Sequence, residues 1–160
     1  LETETAERGL TNVQFRPYQP ADRLRWSLSV PDVHFVSLRP TMEELIVPSK
    51  FYGIAAAGRP VIHIGDPDGE IARIVDHEQC GWNFCIGEVG PLARCILGLS
   101  QRRHEAEEAG FRARLAFDRQ YARTHALKNW RTLLDSVSVP VLLREKEGIV
   151  REILVAAGKE

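Results

Sequence analysis

The chain has few cysteines, no long apolar run and almost no net charge, and each absence excludes a class of protein. Its three cysteines, Cys80, Cys85 and Cys95, are odd in number and lack the C-x-x-C spacing of zinc and redox sites. We therefore expect reduced thiols that pack as small hydrophobic side chains in a cytoplasmic protein. The net charge of −1 argues against a nucleic-acid partner. No run approaches the ~18 apolar residues of a membrane span.

Catalytic signatures are also missing. The five histidines show no H-E-x-x-H pair, and the sequence has no G-x-S-x-G, Walker A or G-x-G-x-x-G motif. His34 and His63 fall inside predicted strands, where a lone histidine is usually a satisfied structural residue. With 160 residues, 44% of them hydrophobic and 27% charged, the composition is that of a globular domain without a complete catalytic set.

The most informative stretch, Val47–Gly65, predicts one helix followed by one strand. Pro48 and Ser49 are helix-start residues, because proline tolerates the first turn and serine can cap exposed N–H groups. Gly58 is a stop signal, and the apolar run from Val61 to Ile64 is typical of a buried parallel strand. The sequence therefore predicts a helix that packs closely on a parallel sheet.

Short apolar strands alternate with helical segments along the rest of the chain. This pattern predicts an α/β protein with a Rossmann-like parallel sheet flanked by helices. We predict a domain over residues 1–136 and an extension over 137–160, built from a strand (Val139–Leu143) and a helix (Glu145–Ala157). The other predicted strands are Asn12–Phe15, Val33–Leu38 and Trp82–Ile86; the other predicted helices are the end of one at Leu1–Gly9, one capped by Asp22 through Leu28, one with Ile71, Ile74 and Val75 on a face, Pro91–Leu99, and Glu105–Leu134 with a break near Gly110.

Two polar segments carry the candidate chemistry. Ser49 and Lys50 stand at a predicted helix start, where unpaired N–H groups and a lysine suit an anion such as phosphate; the alternative is a capped helix with a solvated lysine. The segment from Asp66 to Glu70 has carboxylates at alternate positions, but it lacks most positions of a calcium loop, so a tight turn is favoured over a metal site. Tyr18, held between two prolines, either stacks on a nucleobase or holds its own loop in place.

These motifs, in this order, resemble the C-terminal, nucleotide-sugar-binding domain of GT-B fold glycosyltransferases, family 4 in particular. The specific part of the resemblance is Pro48–Ile62, and weaker matches extend over roughly residues 1 to 135. The family's fold implies that the first strand and its glycine-rich loop precede this chain. It also implies that the acceptor site and the usual catalytic base belong to a separate N-terminal domain, so we expect this chain alone to transfer no sugar.

The resemblance also implies roles for individual residues. Ser49 and Lys50 correspond to contacts of the donor diphosphate, Glu43 or Glu44 to a contact of the donor sugar. Gly53 stands where the family has its second glutamate, the usual ribose contact, and Leu45 where it has the first. The loop with Arg16 and Tyr18 is expected near the nucleobase, and the pair Gly69 and Glu70 near the donor cleft.

As implied by the resemblance, the whole protein is a hexosyltransferase of polysaccharide biosynthesis that retains anomeric configuration. It has no cofactor; its partners are a nucleotide-sugar donor and a glycan or lipid-linked acceptor, and it works in the cytoplasm or at a membrane surface. Two alternatives stay open. One is a nucleotide-sugar epimerase of the same fold, and the other is a non-catalytic flavodoxin-like interaction domain.

Overall fold

The computed structural model describes residues 1–43 and 45–137. Its sheet has three parallel strands in the order β1 (His34–Ser37), β2 (Val61–Ile64) and β3 (Gly81–Phe84). In the register of the sheet, His63 on the central strand lies beside Val36 on one side and Asn83 on the other. The predicted α/β class with a parallel sheet is confirmed.

Helices flank this sheet on both faces. On one face, helix α4 (Glu70–Glu78) contacts β2 and β3, and helix α3 (Lys50–Ala56) contacts β1. On the opposite face, Leu99 of α5 (Val89–Gln101) and Ala106 of α6 (Arg103–Ala116) pack on Ile62. The helices are α1 (Glu2–Glu7), α2 (Leu24–Ser29), α3 (Lys50–Ala56), α4 (Glu70–Glu78), α5 (Val89–Gln101) and α6 (Arg103–Ala116); residues 123–137 are also helical.

The predicted helix-to-strand unit is present. Gly58 ends α3 with a positive φ of 68°, and the Arg59 N–H donates to the Ile54 carbonyl at 3.2 Å. This bond spans the left-handed turn that a glycine makes at low cost. Pro60 then leads into β2, so the close spacing of helix and strand follows from local turn chemistry.

The two faces of β2 have different environments because side chains alternate along a strand. Ile62 belongs to an apolar cluster with α5 and α6. Val61 and His63 point to the other face, which α3 and α4 cover with Phe51, Ile54, Ile71 and Val75, all buried. His63 therefore lies close to buried apolar side chains.

The first predicted strand is wrong. Asn12–Phe15 forms no strand, and residues 13–20 have no regular secondary structure. The segment runs directly into Pro17 and Pro20, whose nitrogens carry no N–H for a sheet ladder. Asp22 is also not a helix cap, because it lies in a 3₁₀ turn, Ala21–Arg23, and α2 begins after Arg23 without a side-chain cap bond.

The break in the long C-terminal helical stretch lies elsewhere than predicted. Helix α6 runs through Gly110, and a π-helical turn at Phe117–Tyr121 interrupts the helical stretch instead. A Cβ atom on Gly110 would overlap the carbonyl oxygen of Gly58 and lie 3.1 Å from Pro60 Cδ. The glycine thus serves close packing of α6 on the α3–β2 turn.

The cysteines differ in exposure. Cys80 is buried, and burial raises the pKa of its thiol to about 11. Cys95 is half-buried, as predicted for a small packing residue. Cys85 is exposed, contrary to prediction, because β3 ends one residue before it.

The chain divides into two compact units, Leu1–Arg114 and Leu115–Glu160. The sheet and the candidate site belong to the first. All but residue 137 of the predicted extension over 137–160, including its strand and helix, lies outside the described residues, so the boundary at residue 136 stays a prediction. No helix in the described ranges is both long and apolar enough to cross a membrane.

Candidate functional site

The polar residues of interest follow the strands at one edge of the sheet. Since all three strands are parallel, the loops after β1, β2 and β3 meet at the carboxyl edge, and α3 and α4 both begin there. A cavity of about 400 Å³ opens at this edge, lined by Ser37, Leu38, Arg39, Met42, Ile64 and Ile86. Open α/β sheets bind ligands at this position.

Ser49 and Lys50 stand at the start of α3, and both are exposed. Ser49 already has helical φ and ψ angles of −58° and −22°, and its side chain makes no cap bond. An N-cap serine normally has extended backbone, which lets its oxygen reach the N–H groups ahead. The predicted cap is therefore wrong. In the described part of the chain, no side-chain partner is found for Lys50.

Glu43 lies against the start of α4. It follows a 3₁₀ turn, Pro40–Met42, in the loop after β1, and its carboxylate lies against Gly69. A Cβ on Gly69 would come within 2.7 Å of both carboxylate oxygens, so only glycine leaves them this space. Glu44, the other predicted sugar contact, lies outside the described residues.

Gly69 and Glu70 begin α4, with Gly69 as the N-cap. Glu70 accepts a hydrogen bond from the Tyr52 hydroxyl at 3.4 Å, which ties the first turn of α4 to α3. Sequence analysis missed Tyr52, because its partner is 18 positions away along the chain. The structure thus brings Glu43 and Gly69 into contact and links Glu70 to the helix of Lys50.

The loop between β2 and α4 is a compact turn. Asp66 accepts a hydrogen bond from the Asp68 N–H at 2.9 Å, an Asx turn that uses one of the carboxylates considered for a metal. This agrees with the turn interpretation. Across residues 1–43 and 45–137, no group of three or more His, Cys, Asp and Glu side chains is arranged to hold a metal ion.

The two strand histidines differ. His34 Nε2 forms a hydrogen bond with the Leu28 carbonyl at 2.9 Å, as expected for a structural histidine. His63 is 1% exposed, and by geometry its Nε2 has no hydrogen-bond partner among the described residues, so for His63 a satisfied side chain stays a prediction. Burial lowers the pKa of both; for His63, the negative charge of Glu43 offsets part of this effect. Nothing in the sequence distinguishes the two.

Arg16 and Tyr18 are not brought to this edge by any recorded contact. Arg16 donates to the Gln14 side chain at 2.7 Å, and Tyr18 is fully exposed. Both belong to the segment that fails to pair with the sheet, so no strand fixes its position. A nucleobase contact from either residue stays a prediction.

A second cavity, of about 280 Å³, lies on the face covered by α5 and α6. Phe35, Ile62 and Leu99 are among its apolar residues, and Arg59 and Arg103 are also part of its lining. Neither cavity is lined by any of the predicted site residues.

The fold and its polar edge define an α/β protein with a candidate anion and hydroxyl site at the carboxyl ends of parallel strands. Over 77 residues, the chain is 36% identical to the probable glycosyltransferase WbjE of Pseudomonas aeruginosa; the match covers 48% of this chain and 19% of that protein. The chain thus spans about a fifth of the curated relative it matches, and the similarity supports glycosyltransferase function in general terms. No protein-family model matches the chain, and no solved structure matches it significantly.

Proposed function

We propose that this chain is the donor-binding part of a glycosyltransferase that uses a nucleotide sugar. The observation that carries the proposal is the meeting of two helix starts at the carboxyl edge of the sheet, one with an exposed lysine and one with a carboxylate beside a glycine. The lysine can bind a diphosphate group, and the carboxylate can accept hydrogen bonds from sugar hydroxyls. The partial similarity to a probable glycosyltransferase supports the same class.

In this proposal Lys50 and Ser49 bind the diphosphate of the donor. Negative charge grows on the leaving diphosphate as the glycosidic bond breaks, and the positive charge of Lys50 stabilises it. Glu43, Glu44, Gly69 and Glu70 lie near the sugar, and Arg16 and Tyr18 near the base. The nucleotide sugar is a substrate, and no cofactor is required.

The finer assignments belong to the same proposal. The parent fold is GT-B of the family 4 type, and transfer retains the anomeric configuration. The acceptor is a glycan or lipid-linked saccharide bound by another domain of the whole protein, in polysaccharide biosynthesis. The work takes place in the cytoplasm, where the three thiols stay reduced.

Nucleotide binding tests the proposal directly. Ligand-observed NMR of the chain against UDP, GDP, ADP and the matching nucleosides should show binding of at least one diphosphate and weaker binding of its nucleoside. Lys50→Ala should lower the affinity for the diphosphate by roughly 10- to 100-fold, since a charge-assisted hydrogen bond contributes about 1.5–3 kcal/mol.

Lys128→Ala is the matched control, because Lys128 is an exposed lysine in the helical residues 123–137. It should bind as the unmodified chain does. A folded chain that ignores all three diphosphates, or one that loses equal affinity in both variants, would contradict the proposed site and favour an interaction domain.

A further inference from the structure

Three buried polar atoms in the described part of the chain have no hydrogen-bond partner there: Glu43 Oε1, His63 Nε2 and Asn83 Oδ1. Buried polar atoms of folded proteins are bonded in the large majority of cases, to protein or to ordered water. Three exceptions that involve neighbouring residues call for one common explanation.

The three residues are neighbours at the carboxyl edge. Asn83 is the register partner of His63 on the adjacent strand. After burial itself, the negative charge of Glu43 has the largest influence on the pKa of His63. One loop covers both side chains, because a Cβ on Gly65 would lie 2.9 Å from His63 Nε2 and one on Gly69 would lie 2.7 Å from the Glu43 carboxylate.

The hydrogen-bonding character of each atom follows from its surroundings. Asn83 donates through Nδ2 to the Ala72 carbonyl at 2.9 Å and to Asp76 Oδ1 at 2.7 Å, which fixes its Oδ1 as an acceptor. Glu43 Oε1, a carboxylate oxygen, is also an acceptor. The pKa of His63 is lowered by burial, so its ring is neutral at pH 7 and can present an N–H at Nε2.

Two acceptors and one donor are the complement of a single water molecule. A water donates two hydrogen bonds and accepts from an N–H, and buried waters typically make about three bonds to groups that are otherwise unsatisfied. The Asn83 side chain, like Glu43, raises the pKa of His63, so both acceptors lie close to the ring. A direct bond from His63 to either of them would leave the other without a donor. One water satisfies all three atoms.

We propose that one buried water bridges Glu43 Oε1, His63 Nε2 and Asn83 Oδ1, and that His63 acts through it as a positioning residue for Glu43. With Oε1 held from inside, the second carboxylate oxygen is oriented for a hydroxyl of the donor sugar. This last step rests on the proposed function. His63 itself does not touch the substrate.

A high-resolution crystal structure of the chain tests the water without any nucleotide. We expect an ordered water within about 2.7–3.2 Å of all three atoms. A direct hydrogen bond from the His63 ring to the Glu43 carboxylate or to the Asn83 side chain, or no ordered water at this point, would overturn the inference whatever the chain binds.

Binding of matched ligand pairs tests the role of His63. The pairs are UDP-glucose and UDP, UDP-N-acetylglucosamine and UDP, and GDP-mannose and GDP, and the measured quantity is the ratio of the two dissociation constants. His63→Phe should lower the preference for the sugar form by roughly 3- to 10-fold, the contribution of one modest hydrogen bond, with the affinity for the diphosphate unchanged. His63→Gln, which keeps a polar atom near the position of Nε2, should restore part of the preference.

His34→Phe is the control, since His34 is the structural histidine of β1 and lies on the same face of the sheet as His63. It should leave the preference unchanged. If His63→Phe weakens binding of the nucleotide sugar and of its diphosphate equally, His63 has a structural role only. The same conclusion follows if His63→Phe does not fold and His63→Gln shows no preference for the sugar form. If no diphosphate binds to the unmodified chain, the proposed function fails, and the crystal structure still decides the water.

Discussion

Glu43 and Gly69 form the most specific contact of the candidate site at the scale of single residues. The glutamate lies in the loop after β1 and the glycine begins α4, 26 positions later by residue number. The absence of a Cβ at Gly69 leaves room for the carboxylate. This contact is easily tested because a single methyl group would occupy the same space.

We expect Gly69→Ala to displace the Glu43 carboxylate with little loss of stability. The new Cβ would meet the end of a flexible side chain, which can rotate away, and not backbone atoms. Affinity for a nucleotide sugar should fall toward that of its nucleoside diphosphate in calorimetric titrations. Gly90→Ala is the matched control, because its Cβ would meet Arg94 only at 3.5 Å. Equal ligand preference in both variants would argue against a role for Glu43.

The two strand histidines predict a pH dependence of stability. Burial lowers the pKa of His34 and His63 below the ordinary 6.5, so the unfolded chain binds more protons than the folded chain as pH falls. Stability should therefore be complete above about pH 6.5 and decrease below it. Urea unfolding at pH 7.5 and pH 5 measures the difference.

The double variant His34→Phe and His63→Phe should show a smaller difference between the two pH values than the unmodified chain. His77→Phe is the control, since this histidine is exposed, its ring contacting only Glu78 at 3.1 Å. An unchanged pH dependence in the double variant would assign the effect to other groups.

At the scale of elements, α6 and the α3–β2 turn meet through two glycines. Gly58 needs its positive φ to end α3, and Gly110 lets the backbone of α6 approach the Gly58 carbonyl. This contact sets the position of the helix that covers Ile62. Close packing on this turn therefore accounts for a glycine at position 110, and a helix-breaking role is not needed to explain it.

Gly110→Ala should destabilise the chain by about 1–3 kcal/mol, the usual range for an overpacked core position. Alanine in a helix interior is normally more stable than glycine, by about 0.5–1 kcal/mol, so the expected sign is opposite to helix propensity. The free energy of unfolding from urea titration measures the effect. Glu108→Ala, on the exposed side of the same helix, should change it by no more than about 0.5 kcal/mol. A stabilised Gly110→Ala variant would contradict the close contact.

At the scale of the whole molecule, the described side chains at the carboxyl edge include the groups that the proposed donor site needs: a lysine at Lys50 and carboxylates at Glu43 and Glu70. We expect the 160-residue chain to bind a nucleoside diphosphate and to transfer no sugar, because the resemblance assigns the acceptor site and the base to another domain. Incubation with each nucleotide sugar and a mixture of saccharide acceptors, followed by mass spectrometry, checks this. A glycosylated product that disappears with Lys50→Ala would contradict it.

The sequence determined those features that depend on neighbours along the chain. The strand at Val61–Ile64 has the predicted bounds, and the helix before it ends at Gly58 as predicted. Both features are encoded within a few residues, by turn geometry and by the apolar side chains of the strand. The failed strand at Asn12–Phe15 marks the limit of such signals. A short alternating pattern forms a strand only if an edge of the sheet is there to pair with it.

Tertiary structure alone decided which polar groups meet. Glu43 reaches Gly69, Tyr52 reaches Glu70, and His63 lies beside Asn83, through parallel crossovers that bring distant loops to one edge. Sequence could nominate Lys50, Glu43, Gly69 and Glu70 one at a time, but it could not separate His63 from His34. That difference is one of burial and missing partners, and both are properties of the packed layer and not of the residues beside them in the chain.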